Sequence, residues 1–85
     1  MIQRDVQIKL ESGLEARPIA MLVQVASQFE SSVYIEAADR KVNAKSIMGM
    51  MSLGIDGGSG VKIIADGTDE EVAVKEIENF LSSNQ

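Results

Sequence analysis

Few side chains in this 85-residue chain could do covalent chemistry, because it contains neither histidine nor cysteine. Without them it cannot assemble a Ser-His-Asp or Cys-His arrangement for nucleophilic catalysis, or a thiolate zinc site. The remaining candidates are an acidic run at residues 69–71, a glycine-rich stretch at residues 56–60, and individual serines. The sequence therefore predicts a protein that is not an enzyme, with no cofactor and no metal.

Neither the acidic run nor the glycine-rich stretch carries a specific signal for a ligand. The D-E-E run at 69–71 has no histidine or second acidic cluster beside it, and is typical of a solvated first helical turn. The D-G-G-S-G stretch at 56–60 lacks the Gly-Lys-Ser/Thr ending of a phosphate-binding loop. We predict a helix start and a flexible turn, respectively.

Ser46 stands directly before the apolar run I-M-G-M-M-S-L and is predicted to be the N-cap of a short helix over residues 46–53. From the residues alone, an ordinary cap is the simplest interpretation. Two helical turns with one buried face cannot bury all the apolar side chains of this run. Some of these side chains are therefore predicted to be exposed, and we take Met50 and Leu53 as the buried share.

A second candidate segment is S-G-L-E-A-R-P-I-A at residues 12–20, which joins a strand-like run to a helix-like run. The Ser-Gly pair breaks the alternating pattern, and Pro18 fits the first turn of a helix, where its missing N–H is not needed. Glu15 and Arg17 therefore fall at a helix N-terminus. There a carboxylate is favoured by the helix dipole and can pair with the arginine.

The rest of the pattern supplies the elements that would position these residues. Strands are indicated by apolar residues at every second position or by short runs between turns, namely Val6, Ile8 and Leu10; Val33 and Ile35; residues 40–43; and Val61, Ile63 and Ala65. Helical spacing joins Ile19, Leu22, Val23, Ala26 and Phe29, and later Ala73, Val74, Ile77, Phe80 and Leu81. Thr68 and Glu71 fit a capping box for the last helix. The order predicts an α+β fold, an antiparallel sheet with helices on one face.

Length, charge and composition limit the kinds of partner and the compartment that we expect for the chain. At 85 residues the chain is predicted to form a single domain, residues 1–85. Its net charge of -5 argues against direct binding of nucleic acid, and no apolar run approaches the length of a membrane span. We expect a cytoplasmic protein, since the absence of cysteine suits a reducing compartment.

Residues 12–20 resemble the active-site segment of HPr, the histidine-containing phosphocarrier of the sugar phosphotransferase system. Residues 45–54, K-S-I-M-G-M-M-S-L-G, resemble that family's regulatory-serine helix, and the resemblance extends over nearly the whole chain. It implies an HPr-like open-faced β-sandwich of order βαββαβα, with four antiparallel strands and three helices on one face.

One departure from the family is chemically decisive. Glu15 occupies the position of the histidine that carries phosphate in HPr, and a carboxylate cannot serve as an imidazole in reversible phosphate transfer. The chain thus resembles the branch known as the catabolite-repression HPr-like proteins, or Crh. Glu15 is interpreted as a helix-terminal carboxylate, as a permanent partial imitation of phosphohistidine, or as a substitution introduced into HPr.

The resemblance also implies a site and its partners. Ser46 would be phosphorylated from ATP by HPr kinase/phosphorylase, and the product would bind a LacI-type catabolite control repressor as a corepressor. The surface for these partners, called the docking patch below, comprises Ala16, Arg17, Ala20, Met21, Lys45, Ile47, Met48 and Met51.

Two other functions and one question of oligomeric state stay open at this point. The first alternative function is a phosphotransferase-system carrier whose active-site histidine has been replaced, and the second is binding of a metabolic enzyme through the docking patch. A homodimer that exchanges its first strand at the Ser-Gly hinge is compatible with either function.

Overall fold

A computed structural model describes residues 1–8, 16–37, 39–53 and 60–82. Seven elements follow one another in the predicted order: β1 (Ile2–Gln7), α1 (Ala16–Ser27), β2 (Ser32–Ala37), β3 (Arg40–Asn43), α2 (Ile47–Met51), β4 (Gly60–Asp66) and α3 (Glu70–Ser82). The four strands form one sheet in the order β1-β4-β2-β3, and every neighbouring pair is antiparallel. The predicted α+β fold is confirmed.

The register of the strands follows from their apolar alternation. In β4, Val61, Ile63 and Ala65 point into the core, as predicted, and the hairpin of β2 and β3 pairs Ile35 with Val42. Val6 and Ile8 are buried too, whereas the predicted Leu10 lies outside the described residues.

The two longer helices bury the stripes that their spacing predicts. Their buried side chains are Ile19, Leu22, Val23 and Ala26 in α1 and Ala73, Val74, Ile77 and Leu81 in α3, with Phe29 and Phe80 packed partly buried against the same core. Complete burial of a leucine or isoleucine stabilises the fold by roughly 1.5–3 kcal/mol. These side chains fix both helices on one face of the sheet. None of the helices in the described ranges has the length and hydrophobicity of a membrane-spanning segment.

The predicted capping box of Thr68 and Glu71 is wrong. The helix begins at Glu70, and its first helical hydrogen bond runs from the N–H of Ala73 to the main-chain oxygen of Asp69 at 3.0 Å, which places Asp69 rather than Thr68 at the N-cap position. The side chain that reaches back is that of Glu70, whose Oε1 accepts the N–H of Gly67 at 3.0 Å. The pattern rule missed this because Asp69 faces a tertiary partner that short-range spacing does not reveal.

Candidate functional site

Ser46 is the N-cap of α2, as predicted. Its backbone is extended, with φ -110° and ψ 115°, and its Oγ accepts the N–H of Gly49 at 3.1 Å. The preceding turn is fixed by Asn43, whose main-chain oxygen accepts the N–H of Ser46 at 3.0 Å and whose Oδ1 accepts that of Lys45 at 2.8 Å. The end of β3 therefore sets the position of the Ser46 hydroxyl.

The helix that follows Ser46 is shorter than predicted, covering Ile47–Met51 instead of residues 46–53. Its last turn is held by Arg40, whose guanidinium donates to the main-chain oxygen of Ser52 at 2.6 Å and to the Oγ of Ser52 at 3.0 Å. A cation at this end complements the helix dipole. Sequence reasoning missed Arg40 because the contact joins residues 12 positions apart, beyond the reach of helix-end rules.

The apolar side chains of α2 and of the residues after it divide largely as predicted. Met50 is fully buried, whereas Leu53, which lies beyond the end of α2, is only half-buried against the core. In contrast, the side chains of Ile47, Met48 and Met51 are 48%, 84% and 53% exposed. Three large apolar side chains on one short helix thus face solvent beside Ser46.

The remaining predicted site residues lie on or next to the neighbouring helix. Met21 of α1 is 48% exposed and Ala20 is also exposed. Helices α1 and α2 are in contact, so these residues lie on the helix that adjoins α2. Ala16 and Arg17 form the first turn of α1, while the positions of their side chains and the whole of Glu15 lie outside the described structure.

Lys45 has a defined position that the sequence did not predict. Its Nζ donates a hydrogen bond of 2.7 Å to the main-chain oxygen of Phe29, in the turn after α1. The side chain is half-buried. Lys45 thereby connects the end of α1 to the residue that caps α2.

The first two carboxylates of the acidic run at the start of α3 accept hydrogen bonds within the chain, whereas Glu71 is exposed. The Asp69 carboxylate accepts the N–H of Glu30 at 2.9 Å, the N–H of Ser31 at 3.0 Å and the hydroxyl of Ser31. The bond from the Ser31 hydroxyl, followed by that from the Glu30 N–H, lowers the pKa of Asp69 below its ordinary value. Asp69 therefore joins the start of α3 to the entry of β2.

Glu70 is also held as a carboxylate. The N–H of Gly67 is the main cause of its lowered pKa, and the amino group of Met1, 3.1 Å from Oε1, adds to the effect. Within the described ranges, no three acidic, histidine or cysteine side chains are grouped so that they could hold a metal ion.

Comparison with known proteins assigns the chain to a family. The family model for the PTS HPr component phosphorylation site matches residues 2–83. The HPr-like protein Crh of Halalkalibacterium halodurans is 47% identical over 81 residues, which cover 95% of this chain and 96% of the relative.

Solved structures agree with the sequence match. An HPr structure from Thermoanaerobacter tengcongensis superposes with a TM-score of 0.94 at 48% identity, covering 99% of this chain and 94% of that one. A crystal structure of Bacillus subtilis Crh, described as a swapped, intertwined dimer, gives a TM-score of 0.77 at 46% identity, with 95% and 93% covered. Fold, family model and relatives agree, and the chain belongs to the HPr family of phosphotransferase-system components, with Crh proteins among its relatives.

Proposed function

We propose that this chain is a non-catalytic, cytoplasmic regulator of carbon catabolite repression that is switched by phosphorylation of Ser46. HPr kinase/phosphorylase would transfer the phosphate from ATP, and the phosphorylated chain would bind a LacI-type catabolite control repressor through the docking patch. The relatives named Crh support this proposal, as does the absence of histidine from the chain, which removes the phosphocarrier chemistry of HPr.

The observation that carries the proposal is the exposed apolar surface next to Ser46. Ile47, Met48 and Met51 stay exposed although the same short helix buries Met50 completely. Methionine suits a surface that meets more than one partner, because its side chain is flexible and polarizable. A phosphate on the adjoining serine would combine a charged group with this apolar surface.

Local structure supports a phosphate at Ser46 without unfolding of α2. The Ser46 Oγ already accepts the N–H of Gly49, and a phosphoserine adds about 1.5 to 2 negative charges near this helix start. The half-buried Lys45 adds a positive charge at the adjacent position. Because its ammonium donates a hydrogen bond to the main-chain oxygen of Phe29, we expect Lys45 to contact a partner only if that hydrogen bond is broken.

The switch is tested by intact mass after incubation with ATP and HPr kinase/phosphorylase. We expect a single added phosphate on the wild-type chain and none on Ser46→Ala. A phosphate that persists on Ser46→Ala, or none on either chain, would overturn the assignment of Ser46. A parallel incubation with phosphoenolpyruvate and Enzyme I tests the carrier alternative, for which an acid-labile phosphate is the signature.

The docking patch is tested by binding of the phosphorylated chain to the catabolite control repressor. Met48→Ala removes the most exposed apolar side chain of α2, and we expect about tenfold weaker binding, which is about 1.4 kcal/mol. Val72→Ala is the matched control, because Val72 is 53% exposed but lies on α3, outside the docking patch. Equal effects of the two substitutions would contradict the proposed surface.

We also propose that the chain forms a homodimer by exchanging β1. The swapped dimer of Bacillus subtilis Crh supports an exchange between copies. Within one chain, β1 pairs with β4, and Arg4 of β1 forms an ion pair of 2.7 Å with Glu78 of α3. An exchanged strand would remake these contacts between two copies. Mixing Arg4→Glu with Glu78→Arg chains should favour a mixed dimer over either homodimer.

A further inference from the structure

The sheet has a second face that the described helices leave uncovered. The core cluster takes its residues from one face of the sheet and from the helices packed on it. Strand pairing places a different set on the other face, which we call the open face: Gln3 and Asp5 of β1, Lys62 and Ile64 of β4, Tyr34 and Glu36 of β2, and Lys41 and Asn43 of β3.

Four charged residues form a straight row across this open face. Asp5 pairs with Lys62, Lys62 with Glu36, and Glu36 with Lys41, so the signs alternate from β1 to β3 as minus, plus, minus, plus. The ion pairs within 4.0 Å among the described residues involve none of these four side chains. Asp5, Glu36 and Lys62 line a depression of about 600 Å³. The row thus presents charges that form no ion pair within the described part of the chain, with the Lys41 ammonium placed over the Tyr34 ring.

The neighbouring row on the open face is uncharged. It contains Gln3, Ile64, Tyr34 and Asn43 in register. Ile64 is 7% exposed and Tyr34 is half-buried, with the Lys41 ammonium 5.0 Å from the centre of the Tyr34 ring. An apolar pair therefore lies at the middle of this row, with an amide side chain at each end.

Each of these two rows is complementary to the same row of a second copy of the chain. A two-fold axis parallel to the strands, running between β4 and β2, reverses the order of each row in a facing copy. Asp5 then lies opposite Lys41 of the second copy, and Lys62 opposite its Glu36. In the uncharged row, Ile64 faces Tyr34. An axis along the charged row would instead place every charge opposite its own duplicate, so the charges select one orientation.

We propose that the open face docks a second copy of this chain, sheet against sheet, about the two-fold axis parallel to the strands. Two sheets packed in this way keep their strands within about 30° of each other, the usual aligned arrangement. The contact is isologous, as expected for a two-fold dimer. It is distinct from exchange of β1, because every strand stays in its own sheet.

The size of the open face sets the strength of this contact. Four strands at ordinary spacing give a footprint of roughly 500 Å², below the about 800 Å² per partner of a standard interface. Each copy also carries a net charge of -5, which opposes association. We expect a dimer that forms at high protein concentration and exchanges rapidly, whereas an exchange of β1 requires strands to separate and is slow.

Charge-reversal variants test the pairing of Lys62 with Glu36 across the two copies. Lys62→Glu alone would face Glu36, and Glu36→Lys alone would face Lys62, so each should weaken dimerisation about tenfold or more. The double variant Lys62→Glu/Glu36→Lys restores opposite charges and should dimerise like the wild type. An equimolar mixture of the two single variants should form a mixed dimer, since every facing pair then has opposite signs.

The controls keep net charge equal while leaving the open face unchanged. Lys75→Glu and Glu76→Lys lie at exposed positions of α3 and match the two single variants in net charge. Sedimentation equilibrium up to millimolar protein gives the dissociation constants, and amide chemical shifts give the exchange regime and confirm folding of each variant.

Three results would overturn the proposal. The first is a wild-type chain that stays monomeric throughout the concentration range. The second is a failure of the double variant or of the mixture to restore the dimer lost in folded single variants. The third is a dimer that exchanges slowly and responds equally to the open-face and the α3 variants, which would identify exchange of β1 instead.

Discussion

Replacement of Gly67 by alanine is expected to destabilise the fold, because a Cβ atom has no room at this position. That atom would lie 2.5 Å from the Oγ, 2.6 Å from the Cα and 2.9 Å from the Cβ of Ser31. Carbon atoms in ordinary contact are about 3.5–4.0 Å apart. Ser31 is 1% exposed and two of its close atoms cannot rotate away. The segments around Gly67 and Ser31 must therefore separate by about 1 Å.

This separation would also affect the hydrogen bonds that join the same two segments. The Ser31 N–H and hydroxyl donate to the Asp69 carboxylate, two residues after Gly67. Forcing extra volume into a packed interior costs typically about 1–3 kcal/mol. We expect Gly67→Ala to lower the free energy of unfolding by about 2 kcal/mol, which corresponds to a decrease in Tm of roughly 8–16 °C for a domain of this size.

Urea denaturation followed by far-UV circular dichroism measures this effect. Gly60→Ala is the matched control, since its added Cβ would have no heavy atom within 4 Å. We expect the control to stay within about 0.5 kcal/mol of the wild type or to be slightly more stable, because alanine restricts the unfolded chain. A Gly67→Ala chain as stable as the Gly60→Ala chain would refute the packing argument.

Three further predictions concern α2 and the start of α3. Ser46→Ala should lower the free energy of unfolding by about 1 kcal/mol through loss of the cap, whereas Ser46→Asp should retain most of it, both measured in urea. Gly49→Ala should stabilise the chain by about 0.5–1 kcal/mol, since the nearest atom to its Cβ is 3.4 Å away and alanine favours a helix; a loss of stability would contradict this. Asp69 has a pKa below its ordinary value of 3.8. Its contribution to the free energy of unfolding is therefore complete above pH 3.8 and is lost as the pH falls further. Asp69→Asn should therefore be less stable at pH 7 and lose less stability between about pH 5 and pH 2; parallel pH profiles would contradict this.

The sequence predicted those features that depend on periodicity and on neighbouring residues. Alternation in β4 and helical spacing in α1 and α3 identified the buried side chains, since one face of each element must leave water. Ser46 could be assigned as a cap because the signal is local. Periodicity alone did not separate the buried Met50 from the exposed Met48, and that prediction depended on the resemblance to the HPr family.

Contacts between distant segments could not be predicted in this way. Lys45 meets a main-chain oxygen 16 residues earlier, and Asp69 meets Ser31 across 38 residues. Helix-end rules consider only residues within about one helical turn, so they assigned the cap of α3 to Thr68. Ile64 was missed for a related reason, since its burial depends on neighbouring strands rather than on the alternation of β4 itself.

The two ends of α2 have a consequence for how this surface can diverge during evolution. The side chains of Ser46, Arg40 and Lys45 all bond to main-chain atoms, of Gly49, Ser52 and Phe29 respectively. A main-chain atom can still accept or donate its hydrogen bond when the side chain of its residue is substituted. The exposed residues of α2 can therefore mutate while the helix keeps its place, so a lineage can alter this surface without first rebuilding the fold.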